Sequence, residues 1–367
     1  MYTQGGRLLR SFAHIDIPLL VSACALTALG LVTMYSFGAE NAYFDRQIIW
    51  IAISIGVAVT ASFFDFRFLR TTIPVAVLFG LSIASLLLIF VFGEISKGAQ
   101  SRFDLGIFAV QPAEYAKLVL IILLAKYFAR RHIEIAHIKH ILISAGYAGV
   151  LFLLVFFQPD LGSAIIIGCI WLGMVLVAGI SWKHLGFVMT VAALVSVLMW
   201  SFVLHDYQKE RILTFLHPLA DIQGAGYNAY QATIAVGSGQ LLGKGIGYGT
   251  QSKLSFLPEY ETDFIFAAYA EEWGFVGVLI LFALFGILLA RILRCAVDGA
   301  TNFEKLFAAG VAIMLLSHFI VHVGMNVGLL PITGTTIPFM SYGGSHLLTE
   351  FAALGMLMGM RRYRRGV

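Results

Sequence analysis

The strongest candidate for proton chemistry in this sequence is Asp263. It follows Glu259, Glu261 and Thr262, and Glu271 and Glu272 lie about two turns further on. Acids this dense at the start of an apolar helix suit a general base with supporting carboxylates. The plain alternative is helix capping, with Thr262 at the cap and Asp263 in the first turn.

Other polar residues stand where apolar ones are expected. Glu114 and Lys117 follow Gln111 and Pro112, and proline suits a first helical turn. Their i, i+3 spacing puts them on one face, where they can pair. The pair is either a neutralised structural unit or a cavity lining in which Lys117 meets an anionic substrate. Asp160, in Gln158-Pro159-Asp160-Leu161-Gly162, joins two apolar runs with almost no loop. It can cap the second helix. A chain broken at membrane depth must also face protein or a water-filled cavity. His318 and His322 share a helix face, but no HExxH glutamate or third ligand accompanies them, so core hydrogen bonding is expected rather than zinc. Glu350 is expected to face the bundle interior. Gly355 and Gly359 form a GxxxG, a signal for close helix packing. The run from Gly237 to Gly245 lacks P-loop spacing and reads as tight turns. No GxSxG nucleophile elbow is present. Cys24, Cys169 and Cys295 lie in or beside apolar runs without a CxxC and read as small core residues.

Long apolar elements must position these groups. Of the 367 residues, 59% are hydrophobic and only 12% charged. Soluble domains carry roughly 25% charge, so lipid must be the solvent for most of this chain. A soluble enzyme, a nucleic-acid reader and a disordered scaffold are excluded. The sequence predicts an all-α polytopic membrane protein in a single domain, 1–367. Ten spans are expected near 15–37, 47–63, 71–93, 113–129, 141–157, 161–180, 185–204, 263–290, 306–325 and 344–360. The first reads as an anchor, not a cleaved signal.

Basic residues orient the spans. With both termini cytoplasmic, sixteen Lys and Arg fall inside, including Arg7, Arg10, Arg67, Arg70, Arg131, Arg364 and Arg365, and seven fall outside. The net charge of +4 is therefore mostly an orientation signal. The large extracytoplasmic loop between helices 7 and 8, 205–262, runs about 58 residues. Loops this long are functional or disordered, and its ordered aromatics and glycines point to function. Two further outer loops, 94–112 and 326–343, place the chemistry on the outer face. A cysteine at Ser252 is expected to react from outside, and one at Ala136 is not.

Four blocks, taken in order, make the chain resemble the SEDS family of bacterial cell-wall proteins, the RodA/FtsW/SpoVE group. They are Val110 to Lys117 (VQPAEYAK), Phe157 to Ala164 (FQPDLGSA), Arg211 through Pro218 to the Thr262-Asp263-Phe264-Ile265-Phe266-Ala267 segment and Glu271-Glu272, and Gly328 to Pro331 with Pro338 to Ser345 (PFMSYGGS). The second block looks most like the elongation type. Phe103 departs from the family's usual tryptophan after Arg102, and Ala113 from a frequent serine.

The resemblance implies a peptidoglycan glycosyltransferase in the bacterial cytoplasmic membrane that polymerises lipid II during cell elongation. It makes Asp263 the essential aspartate. It implies partners too: a class B penicillin-binding protein and other elongation-complex membrane proteins, with no nucleic acid. An α-linked pyrophosphate giving a β-1,4 product means inversion. That requires a base on the acceptor hydroxyl, for which Asp263 is the candidate, and cations on the leaving pyrophosphate. Arg102, Lys117, Arg211 and Lys244 are the cations available, with Glu114, Asp160, Ser341 and Ser345 as further substrate-contact candidates. The sequence fixes no cofactor; a divalent cation (Mg or Mn), held by Asp263 or Asp160, is an alternative leaving-group stabiliser. A lipid II flippase is the competing reading, since broken helices around a charged cavity also make transporters. A non-catalytic scaffold is the third. A flippase needs a polar path through the membrane, whereas here the ionisable residues cluster at the outer ends.

Overall fold

The protein is described here from a computed structural model. It describes residues 15–36, 42–96, 99–104, 109–130, 138–204, 206–217, 226–254 and 256–363. Several residues that carried the sequence reading lie outside these: Arg7, Arg10, Arg131, Ala136, Pro218, Arg364 and Arg365.

Thirteen α-helices are described: α1 (Ile17–Ser36), α2 (Ala42–Ala61), α3 (Thr72–Phe92), α4 (Pro112–Ala129), α5 (Ile138–Phe156), α6 (Leu161–Ala178), α7 (Trp182–Phe202), α8 (Asp206–Leu216), α9 (Tyr227–Ser238), α10 (Thr250–Lys253), α11 (Ile265–Asp298), α12 (Asn302–Asn326) and α13 (Gly344–Tyr363). Each expected span has its helix. Eight of these helices are long and apolar enough to cross a membrane. The two expected spans outside that set, α4 and α13, carry three or more charges each. Both are central: most residues of each are buried. A helix sheathed by protein need not match lipid, so charge is tolerated there provided it is paired.

Small residues let the central helices close up. Gly355 and Gly359 of α13 lie against α2, where a Cβ on Gly355 would come within 2.5 Å of the Ala58 carbonyl oxygen. The GxxxG is thus a packing face. At the opposite extreme, α7 buries only Val188. Its apolar side chains, such as Trp182 and Phe202, point outward and suit lipid.

The outer segment read as an ordered loop is a small antiparallel sheet, β1 (Glu94–Ser96), β2 (Ala99–Asp104) and β3 (Ala109–Val110), in the order β1-β2-β3. β2 pairs Arg102 with Glu94, and Phe103 with Val110. These strands qualify the all-α expectation. The sheet also hands the chain directly to α4.

The expected span 263–290 needs correction. α11 breaks at Gly274, whose φ of 65° and ψ of −167° only glycine adopts readily. Phe266 and Phe282 lie sixteen residues apart, about 24 Å along a straight helix, yet their rings stack at 6.3 Å. The Tyr269 hydroxyl donates to the Gly277 carbonyl at 2.8 Å. The chain therefore folds back on itself. A short arm, 265–273, is buried over nearly its whole length, and a long arm, 275–298, returns alongside it. The glycine run seals the reversal. The Gln240 and Leu241 carbonyls accept from the amides of Phe275 and Val276 at 2.9 and 3.1 Å. The Glu271 and Glu272 carbonyls accept from Lys244 and Gly245 at 3.0 Å each. Orphan backbone groups of a broken helix are thereby satisfied. Apolar stretches flank the break on both sides, which is why the sequence shows one span.

The long arm packs antiparallel to α1. Asp16 accepts from Arg291 at one end of the pair, and Glu272 accepts from Ser36 at 2.6 Å at the other. Arg361 joins Asp16, and Arg70 pairs with Glu304. Arg362 lies over Phe63, with 4.8 Å from its guanidinium carbon to the ring centroid. The described arginines of the expected inner set thus gather at one end of the bundle, and the sheet, α8, α9 and the Asp263 segment gather at the other.

Candidate functional site

The end of the bundle opposite the arginines holds a polar cavity of about 380 Å³. β2 brings Arg102 to its wall, the start of α4 brings Gln111 and Glu114, and the α5–α6 junction brings Asp160. α8 brings Arg211, and the segment before α11 brings Glu259, Thr262 and Asp263. The start of α13 brings Ser345 and His346. Of the nine residues proposed from sequence, six line this one space: Asp263, Arg102, Glu114, Asp160, Arg211 and Ser345.

Asp263 does not cap α11. The helix starts at Ile265, and Phe264 in the cap position makes no side-chain cap bond. Asn326, at the end of α12, does that work instead. Its Oδ1 accepts from the Ala267 amide at 3.3 Å, and its Nδ2 donates to the Asp263 carbonyl at 3.0 Å. One fully buried amide thus holds both the short arm and the backbone of the aspartate. Ser341 braces the same segment from the other side: its hydroxyl donates to the Thr262 carbonyl at 2.8 Å, and the neighbouring Tyr342 amide donates to the Glu261 carbonyl at 2.9 Å. The carboxylate is therefore presented by fixed backbone.

Ser341 itself is buried and does not reach the cavity, so its expected substrate contact becomes a positioning role. Ser345 does line it. Its hydroxyl donates to the Ala109 carbonyl at 3.0 Å and accepts from the Gln111 amide at 3.1 Å, tying α13 to the sheet and to α4.

Asp160 satisfies both readings. Oδ1 accepts from the Ser163 amide at 3.0 Å and caps α6, while Oδ2 accepts from Gln111 at 2.8 Å at the cavity wall. These two contacts fix the orientation of the carboxylate.

Below the cavity lies a buried charged network. Lys117 Nζ donates to Glu114 Oε1 at 2.8 Å, as the spacing predicts. It also reaches His318 Nε2 at 3.0 Å. The Nδ1 atoms of His318 and His322 face the Thr336 and Thr335 carbonyls, at 3.3 and 2.7 Å. Nδ1 must therefore carry the proton, which leaves Nε2 of His318 to accept from Lys117. His346 Nδ1 meets the other Glu114 oxygen at 2.9 Å, and its Nε2 lies 3.0 Å from Glu350. Glu114, His318 and His346 place ligand atoms within 4.8 Å of one another. The Lys117 ammonium already bonds two of the three, so a fixed cation fills the place a metal ion would take. Lys117 is fully buried and does not line the cavity, so its expected contact with substrate is replaced by this internal role.

Lys244 is also displaced. It pairs with Glu271 at 2.6 Å beside the reversal and lies off the cavity wall. Glu271 further accepts from the amides of Thr250 and Gln251, and Glu272 from that of Gly247. The two glutamates hold the glycine run in place and do not support Asp263. Sequence reasoning missed Asn326, His346 and Tyr342. A lone asparagine ending an apolar helix was the available signal for the first, and a histidine four residues before Glu350 for the second. Tyr342 lies at the cavity rim, where burial pushes its phenol pKa up, and Tyr260 is pushed up to about 12 by burial and by Glu261. Both stay neutral hydrogen-bonding groups at working pH.

Such a site can bind an anion on two arginines beside one carboxylate held for proton transfer. Residues 8–366 match the family described as cell cycle protein, FtsW/RodA/SpoVE. The chain is 37% identical over 353 residues to the peptidoglycan glycosyltransferase MrdB of Escherichia coli K12, covering 96% of this chain and 95% of that protein. Among solved structures it is similar to a chain of a peptidoglycan synthase complex that coordinates polymerization and crosslinking, with TM-score 0.81, 32% identity and coverage of 95% and 98%. It is also similar to the rod shape determining protein RodA of Thermus thermophilus, with TM-score 0.73, 30% identity and coverage of 96% and 99%.

Proposed function

Because the chain belongs to the FtsW/RodA/SpoVE family of cell cycle proteins, we propose that it is a peptidoglycan glycosyltransferase that polymerises lipid II in the bacterial cytoplasmic membrane. The observation that carries this is the shared cavity: Asp263, Arg102 and Arg211 line one polar space at the end opposite the clustered arginines. With that arginine end cytoplasmic, as basic bias requires, all ten long helices cross and the cavity opens outward. The long arm of α11 makes the eighth crossing.

The reaction is a displacement. Asp263 takes the proton from the acceptor sugar hydroxyl as its oxygen bonds the donor's anomeric carbon. The bond from that carbon to the pyrophosphate oxygen breaks, and the electron pair leaves with undecaprenyl pyrophosphate. Attack opposite the α-linked leaving group gives the β-1,4 linkage. A positioned base contributes roughly 10²–10⁴-fold. Arg102 and Arg211 receive the pyrophosphate, since oriented cations lower the energy of charge developing in the transition state. A magnesium or manganese ion would find a hard oxygen donor in Asp263 and would supply further screening of the pyrophosphate.

A flippase fits less well. Below the buried network, the α4 side chains Leu120, Ile121 and Leu124 are apolar and fully buried. The elongation role and a class B penicillin-binding partner that crosslinks the product are part of the same proposal.

The test is polymerisation of purified lipid II by the detergent-solubilised protein, alone and with its crosslinking partner. Glycan strands are expected from the wild type and not from Asp263→Asn; strands from both would overturn the role of Asp263, and strands from neither, with partner present, the activity. Sidedness needs different cysteines from those the sequence suggests, because Ser252 is only 2% exposed. Lys253→Cys, on the exposed loop surface, should react with an impermeant maleimide in spheroplasts, and Thr72→Cys at the arginine end should not. The reverse pattern would invert the protein.

A further inference from the structure

A second cavity of about 410 Å³ adjoins the polar one and differs from it in kind. It is lined by Phe215 of α8, Tyr230 and Thr233 of α9, and Leu330 and Ile332 after α12. Among the described residues, Arg211 is the one side chain that lines both spaces. The backbone after α12 divides them again: Ile332 faces the apolar cavity, and its neighbour Thr333 faces the polar one. A single molecule can therefore occupy both only if it is anionic where it passes Arg211 and apolar beyond it.

We infer that the apolar cavity holds the first isoprene units of the donor's polyprenyl chain, with the adjoining pyrophosphate at Arg211. This rests on the glycosyltransferase reading and goes beyond it by separating donor from acceptor. The bond that breaks joins the donor sugar to its own pyrophosphate, so the donor's pyrophosphate lies at the reacting carbon, within the cavity of Asp263. The acceptor reacts through a hydroxyl, and its pyrophosphate hangs from the far end of its disaccharide, away from that carbon. The pyrophosphate that Arg211 meets beside Asp263 is accordingly the donor's. The volume sits within the roughly 300–1,000 Å³ of small-ligand sites, enough for the start of a long chain but not its whole length. The remainder extends into lipid past the exposed apolar residues Leu213 and Leu216 of α8.

The arrangement makes the cavity a reader of the leaving group. A filled cavity should penalise donors with long chains and spare donors truncated to one isoprene unit. The experiment uses the full chain in nanodiscs, with Thr233→Trp and, as a second filling variant, Ala229→Phe, each checked by thermal melting. Binding is read with a polyprenyl pyrophosphate carrying a diazirine in its first isoprene units and no sugar. Turnover is read as single sugar additions from long-chain and one-isoprene donors to a fixed acceptor. Wild-type label should fall on peptides of α8, α9 and 327–332. The filling variants should lose that label and raise KM for the long-chain donor by roughly tenfold, the loss of one or two buried methylenes, with KM for the short donor unchanged. Label on other helices, or an equal change for both donors, would overturn the assignment. Labelling of this cavity by a wild type that transfers no sugar would keep the binding site and remove the glycosyltransferase reading instead.

Discussion

The two ends of this bundle are both rich in charge, yet they use it in opposite ways. At the arginine end, Asp16 is shared by Arg291 and Arg361, Glu304 holds Arg70, and the crevice left beside Asp16 measures only about 30 Å³. At the other end, the cavity of about 380 Å³ keeps Arg102, Arg211, Asp160, Glu259 and Asp263 on its wall. Glu114 and His346 form its floor, and their partners Lys117 and Glu350 lie buried beneath. Saturated pairs close an end of the bundle. A cavity with charge on its wall can accept an ionic substrate, and a buried, paired layer under it keeps that charge from leaking toward the membrane core.

The comparison breaks most sharply at Asp263. Asp263→Asn preserves size and fold, and turnover in a lipid II polymerisation assay should drop at least ~100-fold with an unchanged melting temperature. Retained turnover would mean that the wall of the cavity does no chemistry. The buried layer comes next. Glu114→Ala strands Lys117, and breaking such a pair costs about 3–5 kcal/mol, which should appear as a large loss of thermal stability in detergent. Replacing Glu114 and Lys117 together by Gln and Met should recover much of that stability, because His346 keeps Glu350 as its partner. A double variant no more stable than the single would show the layer to be more than charge neutralisation.

Asn326→Ala removes the clamp on the Asp263 backbone while leaving the carboxylate. Small misplacements at a reacting centre can cost as much as 10²-fold, so a fall in kcat of roughly tenfold is expected with KM little changed. A pure KM effect would assign Asn326 to substrate binding. The smallest effect belongs to the closed end: Arg361 is nearly half exposed, and exposed pairs contribute about 0–1 kcal/mol. Arg361→Ala should shift melting slightly and leave polymerisation intact; a strong loss of activity would erase the distinction between the ends.

Much of this was legible in the sequence because membrane solvent imposes a simple rule on composition. Apolar runs of sufficient length had to be helices, and the ten expected spans each found one. The Glu114–Lys117 pair followed from helix periodicity alone, as did the shared face of His318 and His322. Asp160 capped its helix because a short side chain before a first turn has few other options. Block by block, the wording around Asp263 also named the residue that the cavity later surrounded.

Only the tertiary structure decided the rest. From Phe264 to Leu293 only Glu271, Glu272 and Arg291 interrupt the apolar run, and two glutamates do not by themselves announce that α11 doubles back at Gly274; a loop over thirty residues earlier supplies hydrogen bonds to the reversal. For the same reason Lys244, Glu271 and Glu272 looked catalytic in one dimension and proved to be the fastening of that loop. Lys117 looked like a substrate cation until α12 and α13 closed around it with two histidines. Sequence carries the spacing that sets a helix face and the hydropathy that sets its solvent. It does not carry which distant side chain arrives at that face, and a charge becomes a ligand or a strut according to that neighbour.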